Sequence, residues 1–220
     1  MRTRALWPTL SQARGECSLI STDAWDRPGR RLQQHRSAIE AAAKAGVAHV
    51  VYTSIPRPEG SPLLLAPDHA GTEDALRHSE LPGWTVLRNH WYFENLFMSL
   101  PHVLNSGKWF TADGAMQSAD IARDDLARAA AVVLAGKGSD KTTLTLSGAE
   151  ALTKKEIARI VMETFGKPVE VIQVPLEELI QGMVGAGLPR PMADHLASFD
   201  INTAHGRVAD VTPITKKLQI

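Results

Sequence analysis

The chain has 220 residues, of which 44% are hydrophobic and 22% charged, the composition of a globular protein that can bury a core. Its 24 basic side chains offset its 24 acidic ones, so no basic face argues for nucleic acid or an acidic membrane as partner. The lone Cys17 excludes an internal disulfide, no Cys/His cluster has metal spacing, and the longest uncharged apolar stretch, Asn95 to Gly107, falls far short of the ~20 residues that span a bilayer, so a soluble cytoplasmic protein without a metal is expected.

The first 36 residues contain seven arginines, no lysine and no sustained apolar period, and do not read as the start of a domain. Their Arg-rich composition resembles a transit peptide, but Pro8 and Gly15 interrupt any long amphipathic helix. Cys17 to Thr22 suits the end of a buried strand. Leu32, Ala38, Ile39, Ala42 and Ala43 then fall near helical spacing between Arg31 and Ala45, with Gly46 as the stop. The β-branched run Val47 to Thr53 reads as a strand covered on both faces. The unit recurs, with a helix over Asp68 to Ser79 and a strand over Trp84 to Arg88. It recurs again with a helix from Arg123 to Leu134, a turn at Gly136 and Gly138, and a strand from Thr143 to Leu146. Alternation of this kind predicts a parallel sheet.

Beyond residue 148 the elements are smaller and read as a lid. Thr153 and Glu156 have the spacing of a capping box ahead of Ile157, Ile160, Val161 and Phe165. A strand over Val169 to Val174, a helix opened by Pro175 and a short helix over Met192 to Phe199 follow. Thr212-Pro213 announces a helix with little room to run, so both ends of the chain look cut. The expected organisation is a segment 1–16 without a match, a truncated nucleotide-binding domain over 17–148 and a smaller lobe over 149–220.

Open parallel sheets bind ligands beyond the carboxyl ends of their strands. Four clusters follow strands: Ser21-Thr22-Asp23, Tyr52-Thr53-Ser54, Arg88 to Tyr92, and Gly148 with its neighbours. The third gathers a guanidinium, an amide, an imidazole and two aromatic rings. It is either a site or a strand-to-helix turn in which Asn89 caps and Trp91 and Tyr92 pack. The glycine-dense run Gly182 to Gly187 follows a helix rather than a strand, so it reads as a flexible turn and not as a dinucleotide loop. Cys17 reads as an inert packing residue.

The segments Ser18 to Asp23, Gln34-His35-Arg36, Ala45-Gly46-Val47, Val51 to Ser54, and above all Leu87-Arg88-Asn89-His90-Trp91-Tyr92-Phe93-Glu94-Asn95 resemble the NmrA-like NAD(P)H:quinone oxidoreductases. These are atypical short-chain dehydrogenases/reductases. The resemblance implies an α/β fold, a partial Rossmann-type parallel sheet with a small α/β substrate-side lobe, and hydride transfer from NADP(H) or NAD(H) to a quinone. It implies cofactor contacts at Ser21, Thr22, Tyr52, Thr53, Ser54, Asn89, His90, Trp91, Tyr92, Phe93, Glu94, Asn95 and Arg123. Two departures stand out. Nothing in Met1 to Glu16 matches the Gly-x-x-Gly-x-x-Gly loop with which the family opens. The Tyr-x-x-x-Lys pair of ordinary short-chain dehydrogenases would fall on Leu65 and His69, leaving His69 as the candidate proton or hydrogen-bond donor, with a solvated helical histidine as the alternative. A quinone tolerates that loss, because its reduced anion can take a proton from water. A non-catalytic dinucleotide sensor and an incomplete, inactive chain are the rival readings, and a homo-oligomer is left open.

Overall fold

The computed structural model describes residues 15–22, 24, 27–136 and 140–212. Four strands, β1 (Glu16–Leu19), β2 (His49–Ser54), β3 (Gly83–Asn89) and β6 (Lys141–Leu146), form one parallel sheet in that order. Helices α1 (Arg30–Lys44) and α2 (Ala66–Arg77) cover one face and α4 (Arg123–Ala135) the other. The period of two along the strands explains why both faces are apolar. Val50, Tyr52 and Val86 pack with Ile39, Ala42 and Leu76, while Val51 and Leu87 pack with Leu126 and Ala129. Helix α1 ends where the sequence predicts, Gly46 taking the left-handed backbone at φ 73° that a β-carbon would strain.

The smaller lobe contains a 3-10 helix (Phe93–Met98), α3 (Leu100–Ser106), β4 (Lys108–Thr111), β5 (Gln117–Ser118), β7 (Leu152–Thr153), α5 (Lys154–Phe165), β8 (Glu170–Gln173), α6 (Leu176–Gly185) and α7 (Arg190–Ala204). Strand β4 pairs with β8 and β5 with β7, so the lobe draws on chain from both sides of residue 148. The capping box is present: Glu156 N–H donates to Thr153 Oγ1 at 3.3 Å, and Thr153 N–H donates to Glu156 Oε2 at 2.7 Å. Such a cap stabilises a helix by about 1 kcal/mol.

Two segments differ from the sequence-based expectation. Helix α7 is 15 residues long rather than a short Met192–Phe199 helix. Its buried face continues through Ser198 and Asn202, polar residues that break the apolar period yet are hydrogen-bonded within the fold. The glycine run is not a flexible turn throughout. Helix α6 passes through Gly182 to Gly185, and only Ala186 and Gly187 make the turn, Gly187 at φ 98°. The apolar stretch from Asn95 folds as the 3-10 helix and α3, with Leu100 and Val103 facing α5 residues Ile157 and Val161. Asp23, Gly138 and the helix announced at Pro213 lie outside the described residues. Among the described residues no helix is long and apolar enough to cross a membrane, and no cluster of His, Cys, Asp and Glu is placed to hold a metal ion.

Candidate functional site

The carboxyl ends of β1, β2 and β3 meet the amino ends of α1 and α2, and polar side chains are buried where they meet. Tyr52 is fully buried, and its hydroxyl lies 2.8 Å from His69 Nδ1. Burial pushes the phenol up to about 12, although the hydroxyls of Ser21 and Thr72 favour its anion. Burial, followed by the charge of Arg31, pushes His69 down to about 3, so this pair is neutral at neutral pH. His69 is therefore neither solvated nor an imidazolium acid; it is a neutral ring held in place by a phenol. His35, also buried, is pushed down to about 4 by burial and then by Arg31. Thr72 Oγ1 donates to the Asp68 carbonyl at 2.6 Å and so accepts from His35 Nδ1–H at 2.8 Å. This assigns the tautomer and leaves His35 Nε2 as a buried acceptor without a partner.

Tyr52 and Ser54 share one face of β2, and Thr53 points the other way. Ser54 Oγ donates to Glu73 Oε1 at 2.7 Å, and Arg88 reaches the same carboxylate with Nε at 3.0 Å and Nη2 at 2.6 Å. Arg77 adds a contact at 3.0 Å. Glu73 is fully buried, and these donors satisfy it. The hydroxyl of Ser54 is thereby committed to α2, and the guanidinium of Arg88 to a buried ion pair that extends to Glu59.

Asn89 ends β3, and its Oδ1 is buried without a hydrogen-bond partner; Ser21 Oγ, just past β1, is buried beside the Tyr52 hydroxyl without completing a hydrogen bond to it. Backbone bonds fix the segment after β3. His90 N–H donates to Leu146 O at 2.9 Å, Ile121 N–H to Trp91 O at 2.9 Å, and Phe93 N–H to Ile121 O at 3.1 Å. His90 is buried and pushed down to about 4, chiefly by desolvation; the carbonyls of Ala119 and Val208 lean toward its ring without completing a hydrogen bond. Glu94 turns to α4, accepting from Arg123 N–H at 3.0 and 3.1 Å, as a carboxylate at a helix amino terminus should. The Arg123 side chain is exposed and lies 3.6 Å from the same carboxylate. Thr22 Oγ1 donates to Gln34 at 2.7 Å near the surface. Phe93 is exposed, and Asn95 is half-buried with its N–H on Tyr92 O at 3.0 Å.

Trp91 joins the two lobes. Its ring stacks on Tyr92 with centroids 6.4 Å apart and on Phe199 of α7 at 3.8 Å, and Phe199 in turn meets the edge of His195 at 5.4 Å. Ser61 Oγ donates to Asn202 at 2.8 Å, tying α7 to the loop ahead of α2. A small cavity of about 50 Å³ lies beside Trp91 and Phe199, lined by Asp113, Asp120, Lys154 and Asn202, enough for water rather than an aromatic ligand. Gly148 lies where the sheet passes Asp120: a β-carbon there would come within 1.9 Å of Asp120 O, which makes this glycine a packing requirement. Arg31, His195 and Phe199 were not marked by the sequence, and His35 only as part of the resembling segment Gln34-His35-Arg36. The i, i+4 spacing of Arg31 and His35 on the buried stripe with Ile39 was the available signal.

A parallel sheet of four strands with helices on both faces and a smaller α/β lobe is a Rossmann-like fold. Residues 10–216 match the NmrA-like family, and the chain belongs to it. Quinone oxidoreductase 2 of Escherichia coli is 35% identical over 190 residues, covering 86% of this chain and 66% of the relative. The NAD(P)H azoreductase of Xenophilus azovorans is 27% identical over 165 residues, covering 74% and 57%. The chain thus spans between about half and two thirds of the curated relatives it matches. The crystal structure of the E. coli NADPH-dependent quinone oxidoreductase complexed with NADPH superimposes with a TM-score of 0.87 at 34% identity, covering 95% of this chain and 74% of that one. The Citrobacter sp. triphenylmethane reductase complexed with NADP(H) gives 0.84 at 31% identity, covering 96% and 75%.

Proposed function

We propose that the carboxyl edge of the sheet binds NADP(H) or NAD(H) and directs hydride transfer to a quinone. The observation that carries this reading is the pair of buried, unpartnered polar atoms, Asn89 Oδ1 and Ser21 Oγ, beyond β3 and β1. Those strands flank β2, so both atoms lie at the carboxyl edge on either side of it. Buried polar atoms without partners are rare in folded proteins, and a ligand with donors satisfies them. A nicotinamide riboside fits, since its carboxamide and hydroxyls donate. When bound, it supplies the hydride.

The chain's own residues orient and shield. Asn89 Oδ1 would accept from the ligand and Ser21 would hydrogen-bond it, while Thr53 lies on the face of β2 away from Tyr52. Trp91 and Tyr92 form an aromatic wall that Phe199 holds in place, with Phe93 and Asn95 extending it toward solvent. Arg123, beside Glu94, and Thr22 lie at the rim. His90, buried behind the wall, and Ser54, bound to Glu73, support the turn rather than touch the ligand. Tyr52 holds His69 as a neutral ring, which can accept or donate a hydrogen bond but carries no spare proton at neutral pH. The proton that completes the hydroquinone therefore comes from water.

The support outside the geometry is that relatives named for NADPH-dependent quinone reduction share the whole described fold. The test is NADPH titrated into the chain, followed by its quinone-dependent oxidation at 340 nm with 1,4-naphthoquinone. Saturable oxidation is expected. Tight binding without oxidation would instead indicate a dinucleotide sensor.

A further inference from the structure

Arg31 is 8% exposed, its Nε is buried without a hydrogen-bond partner, and among the described residues no carboxylate lies within 4.0 Å of it. The half-buried guanidinium of Arg88 shows what pairing looks like in this fold: Glu73 meets it at 2.6 and 3.0 Å. A buried N–H without a hydrogen-bond partner is costly, and a ligand that carries an acceptor completes it.

The surroundings do not neutralise it. His35, His69 and Tyr52 around it are uncharged at neutral pH, and its own field helps to keep the two imidazoles so. Asp68 feels the field, but burial outweighs that field and leaves its carboxyl raised. The charge also reaches His195 on α7, whose ring edges Phe199, which lies on Trp91. Arg31, on α1, therefore acts on groups of α2, β2 and the lobe at once.

We infer that Arg31 binds an oxyanion carried by an aromatic acceptor, of the phenolate type that a quinone becomes on receiving a hydride. The identity of the ligand rests on the proposed quinone chemistry. In that step the quinone gains two electrons and one proton as hydride, the C–H bond of the dihydronicotinamide breaks, and the hydroquinone monoanion is left until water protonates it. The negative charge develops on an oxygen, and an always-protonated, largely buried guanidinium stabilises it as it forms. This makes Arg31 a catalytic residue that substitutes for the missing Tyr and Lys by charge rather than by proton donation.

The experiment uses the full 220-residue chain and two probes: the anion of 2-hydroxy-1,4-naphthoquinone and neutral 1,4-naphthoquinone, titrated by calorimetry with NADP⁺ titrated alongside. R31Q should weaken the hydroxynaphthoquinone anion by about 10- to 100-fold, as loss of a charge-assisted hydrogen bond does. The neutral quinone should change little. The thermal midpoint of R31Q should rise, because a buried Nε–H that lacks an acceptor has gone, whereas a structural arginine would lower it on removal. Equal loss for both quinones, no anion binding by the unaltered chain, a fall in the midpoint or failure of R31Q to fold would each overturn the assignment. Selective loss of NADP⁺ affinity with the anion unaffected would also overturn it, moving Arg31 to a cofactor phosphate. None of these readouts needs turnover, so a chain that fails to oxidise NADPH yet shows the anion preference would retire the proposed reaction and leave Arg31 standing.

Discussion

Lowering the pH from 7 to 5 should strip most of the stability from this fold through three buried histidines. His69 is pushed down to about 3, and His35 and His90 to about 4, in each case chiefly by burial. A histidine whose folded value lies below its unfolded one favours the neutral ring in the native state. Its contribution is complete above the unfolded value of about 6.5 and is lost as the pH falls toward the folded value. At pH 5 the unfolded ring is almost fully protonated and the native one is not, which costs about 2 kcal/mol per histidine and about 6 kcal/mol for the three. His195 moves in the same direction, whereas the raised carboxyls of Asp68 and Asp120 offset part of the loss. Typical domains have only about 5–15 kcal/mol to lose. Urea unfolding followed by far-ultraviolet circular dichroism at the two pH values measures the difference, and His69→Gln should shrink it by about 2 kcal/mol. A pH difference below about 2 kcal/mol in the unaltered chain, or one that His69→Gln leaves unchanged, would refute the argument.

Glu73→Gln should destabilise by about 3–5 kcal/mol in denaturant titration, because Arg88 and Ser54 lose their buried partner. Gly148→Ala forces a β-carbon to 1.9 Å from Asp120 O, so a sharply lowered thermal midpoint or insoluble protein is expected. Asn89→Leu removes the unpartnered amide oxygen while filling similar space; the chain should stay folded by circular dichroism, and NADPH affinity should fall about tenfold in calorimetry.

The winding of the sheet is legible because its local signals agree with the fold. Val47 to Thr53 and Trp84 to Arg88 are apolar on both faces, Gly46 stops α1, and Thr153 with Glu156 starts α5. The region after Asn89 is harder to read, since the 3-10 helix, α3 and β4 are each too short for a period to emerge. The position of the 89–95 turn follows from its place after a strand. The roles within it do not: Glu94 and Arg123 are 29 residues apart in sequence, and only folding makes one the cap of the other. Ser54 and Glu73 are likewise joined across 19 residues. Arg31 was hidden in an Arg-rich opening that composition assigns to solvent, and His69 on a helix whose buried face includes Thr72 and Glu73. Buried polar residues defeat a reading based on apolar period, and here they are what the candidate site is made of.

The central claim is that the carboxyl edge of the sheet holds one face of a reduced nicotinamide against a quinone. NADPH deuterated stereospecifically at C4, in its 4R and 4S forms, tests this directly when each is mixed with the chain and 1,4-naphthoquinone and the decay at 340 nm is followed. A positioned cofactor predicts decay that slows for one stereoisomer and not for the other, with the same selectivity at every quinone concentration. Equal rates for both, or equal slowing for both, would contradict it.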